Sequence, residues 1–451
     1  MPRPSHPPSR AVAVGVDVGT TAVKALAVDE DGRVLARARV PHEVIVPAPG
    51  RLEHDPVAAW VRGPQRAVAA LGVSPVAVAV AALVPALSAV DADGFPAERG
   101  ILYDDERGRP LGPYRGGDPT ASPEASEMLR WMAAAHPAAA GYWPAQAVAI
   151  RGLGGPGVVD FATAMSMGPL YSLDGWDEVA CAAAGATARQ LPAVAGLGEP
   201  VGAVTEGPAS GAVLATGSVD AFCEQLVAGP VDDGDALVVL GSTLVVWSAR
   251  ATPAEAPGVL NGPRLDGRWF VGGASNAGGL WLDWAERALA SGDPALAAPQ
   301  RVPVWWPHVR GERAPGHDPS RRGELRDVDL TQGPAELRRA ALEASAFVVR
   351  SLLERSGPLP ARIVATGGGV SSRPWLQAIA DVTGAVVEPV AVPEGAALAA
   401  AYLARLASGL EVDIEGASRW AAYGPVVTPQ PAWVAATARR YERFIAFRAP
   451  G

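Results

Sequence analysis

Residues 12–40 read VAVGVDVGTTAVKALAVDEDGRVLARARV, and the fold of the chain turns on them. Residues 12–18 alternate Val and Ala as a buried strand does. Gly19-Thr20-Thr21 is a turn, Val23–Val28 a second strand, and Asp29-Glu30-Asp31-Gly32 a second turn before Arg33–Val40. One residue is out of keeping. Asp17 is an acid inside an apolar strand, which is costly unless something pairs with it or uses it. A small turn between two strands can bring N–H groups and hydroxyls up to a phosphate, with the acid beside them for a metal ion. The same letters also describe an ordinary hairpin with an Asp at a strand end, and this stretch alone leaves both readings open.

The rest of the chain narrows the class. A length of 451 residues is too much for one ordinary core and predicts two or three domains. Hydrophobic residues make up 49% and charged ones 19%, a globular composition, with a single lysine, Lys24. The net charge of -9 argues against a nucleic-acid or anionic-membrane partner. Cys181 and Cys223 are the only cysteines and the six histidines show no metal-ligand spacing, so neither a disulfide framework nor a zinc site is indicated. Residues 1–10, MPRPSHPPSR, read as a disordered tail without the apolar core of a signal peptide. The longest apolar run, residues 76–90, is broken by Pro85 and Ser88 and is too short to span a bilayer. A soluble, cytoplasmic protein is expected.

Strand and helix patterns alternate throughout, which predicts an α/β architecture. A helix is expected over 56–71, opened by Pro56, followed by the strand VAVAVAAL and then a strand–turn–strand over 87–103. Another helix should run to about Ala135, with Ser122 as N-cap and Pro123 in its first turn. The opening grammar then recurs: DALVVLGSTLVVWSAR (235–250) is again strand, small turn, strand. Two such hairpins suggest two similar domains that each grip a phosphate; chance recurrence of small turn residues is the alternative. A long amphipathic helix spans 334–357. After the next strand, Gly367-Gly368-Gly369 either lets the backbone approach a flat nucleobase or serves as a tight connector. Residues 394–409 form a small-residue helix able to pack closely on a neighbour.

Taken in order, these pieces resemble the FGGY carbohydrate kinases over about residues 11 to 405. GVDVGTTAVKALAVDEDGRVL looks like the family's first phosphate loop, and GRLEHDP (50–56) its Glu-x-Asp-Pro segment. ILYDDERG (101–108) resembles its Trp-x-Asp-x-Arg segment with Tyr103 in the Trp position, and LGSTLVVWSA (240–249) its second phosphate loop. GERAPGHDPSRRGEL (311–325) is the most specific match, and the Gly367–Gly369 region resembles the adenosine loop. The resemblance implies an α/β, two-domain, actin- and hexokinase-like (ribonuclease H-like) fold with a central cleft. Residues 11–228 would be the N-terminal sugar-binding domain and 229–451 the C-terminal nucleotide-binding domain. The activity implied is ATP-dependent phosphorylation of a hydroxyl on a small sugar or polyol, with ATP and Mg2+ as cofactors. The partner is that small molecule, not a nucleic acid or a membrane, with a homodimer left open.

The resemblance also assigns residues. Asp220 stands where the family has its general base, in reach of the substrate hydroxyl; a helix N-cap is a compatible second role. Asp17 would hold Mg2+ through water, solvated by it, with a turn cap as the alternative. Gly19, Thr20, Thr21 and Lys24 would meet the phosphates from one domain, and Gly241, Ser242 and Thr243 from the other, with Gly367, Gly368 and Gly369 along the adenosine. Tyr103, Asp104, Asp105 and Arg107 would anchor the sugar, and Glu312–Arg313 reads as a structural pair. The sugar side departs from the family: Pro85, Ala86 and Ala221 stand where relatives carry polar side chains. Xylulose and glycerol are therefore expected to be poor substrates beside a ligand with a different hydroxyl pattern or a deoxy position. A nucleotide-binding regulatory protein that has lost turnover, and an actin-like ATPase, remain as other readings.

Overall fold

The computed structural model of the chain describes residues 11–108, 124–172, 174–228, 234–265, 268–318 and 320–446. The expected tail at 1–10 and the expected cap at Ser122 and Pro123 lie outside them. The described residues fall into two compact units: those up to 108, 124–227 and 394–420 form the first, and those of 228–393 and 421–446 the second.

In unit 1 the opening stretch folds as read. Strand β1 (Ala13–Val18) pairs antiparallel with β2 (Ala22–Val28), and β2 with β3 (Val34–Pro41). On its other side β1 runs parallel to β5 (Ala77–Ala82), which runs parallel to Val213–Val219. Strand Pro200–Ala203 completes the six-stranded sheet. All six residues of β1 are buried, as a central strand covered on both faces requires, whereas β3 alternates half-buried and exposed like an edge. A second, four-stranded sheet in the same unit joins β4 (Glu53–His54), β6 (Ala86–Val90), β7 (Gly100–Leu102) and β8 (Gly141–Pro144) in the order β4-β7-β6-β8.

Unit 2 repeats the larger sheet. Ala236–Leu240 pairs antiparallel with Leu244–Arg250, which pairs antiparallel with Arg268–Ser275. Ala236–Leu240 also runs parallel to Arg362–Thr366, and that strand parallel to Val386–Pro389. The five-strand order and directions match those of unit 1, so the recurrence of strand–small turn–strand reflects a repeated topology. The 23-residue helix Pro334–Ser356 covers this sheet; its Glu336 caps the start by accepting from the Gly333 N–H at 2.9 Å.

The helix Gly395–Ala407 departs from the sequence boundary, which put it in the C-terminal domain. It packs across β1 and β5 of unit 1. The reason is steric: a Cβ at Gly15 would lie 1.9 Å from the Ala397 carbonyl oxygen, an approach only glycine allows. Arg405 donates to the Ala11 carbonyl at 3.1 Å, fastening the helix to the start of the same sheet.

Candidate active site

The β1–β2 turn presents Asp17, Gly19, Thr20, Thr21 and Lys24 together. Asp17 and Lys24 are register partners, and Lys24 Nζ lies 3.2 Å from Asp17 Oδ2. Asp17 is 4% exposed, and it is offset by the chain's one lysine. Its other oxygen, Oδ1, is buried and has no hydrogen-bond partner among the described residues. Lys24 is held above its ordinary pKa chiefly by the Asp17 carboxylate, against burial, with Glu224 and Asp220 adding to the effect.

Asp220 opens the helix Asp220–Val227 at the end of strand Val213–Val219, where it accepts from the Ala221 N–H at 2.7 Å. It is half-buried. Both of its expected roles, helix cap and acceptor, suit a carboxylate at a helix start, where the dipole favours the anion. Cys223 on the same helix has its thiol pushed well up, first by burial and then by Asp160, Asp17 and Asp220. Those carboxylates thus converge on one region of unit 1. Asp160 was not anticipated. It is fully buried, accepts from Ser218 Oγ at 2.8 Å and caps the helix Phe161–Met165 through the N–H groups of Ala162 and Thr163. Burial raises its pKa. The only sequence signal was an N-cap spacing, Asp160 followed by Thr163.

The predicted sugar anchors fare differently. Asp105 is fully buried; Oδ2 accepts from the Leu52 N–H at 2.6 Å and from Arg107 at 2.7 Å, and Oδ1 accepts from Arg107 Nε at 2.7 Å. Arg107 also reaches Glu53 at 2.8 Å and lies 4.4 Å over the Trp131 ring. Asp105 and Arg107 therefore form an internal network that ties the β7 end to β4. Tyr103 is 5% exposed, with its hydroxyl 2.8 Å from Thr20 Oγ1. That contact turns Thr20 inward and leaves Thr21 as the exposed hydroxyl of the turn. Asp104 is buried in a left-handed conformation (φ 63°), its N–H donating to Glu124. Pro85 and Ala86 line an apolar recess with Met128, Met167, Thr163 and Ser166. The two hydroxyls there are engaged internally, Thr163 to Asp160 and Ser166 to the Thr163 carbonyl.

In unit 2 the residues expected on the nucleotide side gather at one end of the sheet. Gly241, Ser242 and Thr243 form the turn after Ala236–Leu240, and each is half-buried. The helix Gly279–Ala288 starts on this turn: the Gly279 N–H donates to the Gly241 carbonyl at 2.8 Å and the Leu280 N–H to Ser242 at 3.2 Å. A Cβ at Gly278 would lie 2.5 Å from the Leu244 nitrogen, so Asn276-Ala277-Gly278-Gly279 belongs to this loop although the sequence reading passed over it. Gly367 (φ 85°) sits against the Leu240 carbonyl, which brings the triple glycine beside the hairpin. The three glycines are not equivalent. Gly368 faces open space, whereas a Cβ at Gly369 would meet the Trp375 ring at 2.5 Å, so Gly369 serves packing. Glu312 is buried, facing Arg321 at 3.9 Å and His308 at 3.8 Å. No helix of the described residues is long and apolar enough to cross a membrane.

Paired hairpin turns on two sheets of one topology, each flanked by small residues, are the two-domain fold of the actin and hexokinase type. The chain belongs to the FGGY family of carbohydrate kinases: the family's N-terminal domain matches residues 12–111 and its C-terminal domain residues 180–408. It is 27% identical to the xylulose kinase of Escherichia coli (strain K12) over 478 aligned positions, covering 91% of this chain and 96% of that protein. With the glycerol kinase of Nocardia farcinica it shares 28% identity, covering 89% and 91%. Among solved structures, gluconate kinase from Lactobacillus acidophilus superposes with a TM-score of 0.82 at 21% identity, covering 98% of each chain. The xylulose kinase of Rhodospirillum rubrum gives 0.76 at 26%, covering 97% and 98%. The protein is a carbohydrate kinase.

Proposed function

We propose that the enzyme transfers the γ-phosphoryl group of ATP to a hydroxyl of a small sugar or polyol, with Asp220 as the general base. The observation that carries this reading is the convergence of Asp220, Asp17 and Lys24 in unit 1, with Lys24 feeling both carboxylates. Asp220 accepts the proton of the attacking hydroxyl as the bond to phosphorus forms. Phosphoryl transfer otherwise asks for alignment and charge neutralisation. Exposed Thr21, with half-buried Gly19 and Lys24, offers these in unit 1; Gly241, Ser242 and Thr243 are the corresponding turn in unit 2. Gly368, open to solvent, suits the adenosine.

The donor set fits Mg2+. The buried, unpartnered Oδ1 of Asp17 is a hard anionic ligand in need of a cation, and Mg2+ is commonly held by one or two carboxylates with substrate phosphates and water. Asp17 would hold it, and the ion would neutralise charge on the transferred group.

The apolar recess at Pro85 and Ala86 supports a ligand that lacks a hydroxyl there. Asp220→Asn tests the central assignment. Turnover of the best sugar should fall by at least about 10²-fold, with the affinity for an ATP analogue unchanged by calorimetry. Near-normal turnover would remove Asp220 from the role.

A further inference from the structure

Thr20 is gripped at two atoms from the second sheet of unit 1. His54 on β4 is fully buried, with Nε2 2.8 Å from the Thr20 carbonyl oxygen. Its Nδ1 accepts from Trp60 Nε1 at 2.9 Å, which fixes the tautomer: Nε2 carries the proton and donates to Thr20. Trp60 is itself fully buried and pressed by β7, since a Cβ at Gly100 would lie 2.3 Å from its ring. The second grip is Tyr103, one residue past β7, whose hydroxyl meets Thr20 Oγ1 at 2.8 Å. Strands β4 and β7 are paired, His54 opposite Gly100, so both grips come from one ribbon.

We propose that Tyr103 and His54 are positioning residues for the Gly19–Thr21 turn, and that Tyr103 serves nucleotide binding and not sugar binding. The proposal rests on the reading that this turn meets the ATP phosphates. A turn of Gly and Thr is conformationally loose, and its contacts act on a phosphate only if they are aimed before the phosphate arrives. Holding the carbonyl and the hydroxyl of Thr20 inward sets the orientation of that peptide and leaves Thr21 facing outward. The ribbon that supplies the grips also carries the Glu53–Arg107–Asp105 network, which makes it a rigid support.

The test is a calorimetric affinity for a non-hydrolysable ATP analogue with Mg2+, beside separate KM values for ATP and sugar. Tyr103→Phe and Thr20→Val should each weaken the analogue about five- to tenfold, the worth of one buried hydrogen bond. The double variant should be no worse than either alone, because both remove the same bond. The sugar KM should stay within about twofold. His54→Gln, whose amide can donate to Thr20 and accept from Trp60, should keep the affinity that His54→Leu loses. A raised sugar KM with unchanged analogue affinity would overturn the proposal, as would additive single variants or no change in either constant. Thr21→Val separates the two layers. If it weakens the analogue while Tyr103→Phe does not, the positioning role falls and the phosphate turn stands; if neither does, both fall.

Discussion

Acid should loosen the Gly19–Thr21 turn through His54, and the size of the effect follows from the structure. Burial, aided by the His42 ring with its centroid 4.5 Å away, lowers the His54 pKa from 6.5 to about 4, against the pull of the Thr20 carbonyl. A base whose folded pKa is depressed contributes stability that is fully present above its unfolded pKa. That stability begins to go as the pH falls below 6.5 and is gone below about 4. The whole shift corresponds to roughly 3 kcal/mol. At pH 5 the unfolded imidazole is almost all charged and the folded one almost all neutral, so about 2 kcal/mol should already be lost. There is a specific structural cost as well. Protonated Nδ1 becomes a donor facing the Trp60 N–H, which breaks the bond that fixes the tautomer. His54→Gln keeps both hydrogen bonds without titrating. The assay is amide hydrogen exchange of the peptides spanning Val18–Val23 and Glu53–Trp60, wild type against His54→Gln, at about pH 7.5 and pH 5. Comparison at equal pH cancels the intrinsic exchange rate and the contribution of other groups. The wild type should open these segments about 30-fold more readily at the lower pH, relative to the variant. Parallel behaviour of the two proteins would refute the reasoning.

Two other expectations concern the same unit. Asp17→Asn removes the carboxylate charge, the main cause of the raised Lys24 pKa; it should weaken Mg2+ dependence of turnover and lower the pH at which Lys24 loses its proton, read by pH-dependent acylation of this sole lysine. Unaltered Mg2+ dependence would exclude Asp17 as the ligand. In a kcat/KM panel of pentuloses, hexuloses, aldonates, tetritols and glycerol, xylulose and glycerol should rank below a ligand with a deoxy position, and a top rank for either would contradict the apolar reading of Pro85 and Ala86.

What the sequence disclosed, and what it hid, divides by the range of the interaction. The two hairpins were legible because strand alternation and small turn residues are local signals; their recurrence suggested two similar domains, and the two sheets share the order and direction of five strands. The placement of Gly395–Ala407 was not, because it depends on Gly15 meeting Ala397 across more than 380 positions of chain. Charge misled in a similar way. Asp105 and Arg107 look like ligand-facing polar residues in a motif, but Leu52 and Glu53, invisible as partners in one dimension, satisfy them internally. His54 was passed over as an ordinary histidine because its worth lies in two buried bonds to Thr20 and Trp60. Asn276-Ala277-Gly278-Gly279 carried a signal, a glycine pair after a strand, that went unused.

These contacts also bear on selectivity. Asp105 and Arg107 bond to each other and Tyr103 to Thr20, so three of the four expected sugar anchors have partners within unit 1. Hydrogen-bonding sites reject an analogue lacking the matching hydroxyl by large factors, because the unpaired partner is stranded; an apolar wall discriminates by only about 10- to 200-fold per methylene. Around the recess the side chains are Pro85, Ala86, Met128 and Met167, and the hydroxyls of Thr163 and Ser166 are already bonded within the protein. Nothing in that wall is stranded when a ligand presents carbon instead of oxygen. On the proposal that this recess receives the sugar, such a wall would exclude hydroxyls by desolvation more than select them by pairing. The enzyme's preference should therefore be for less hydroxylated ends, and its tolerance among such ends should be broad.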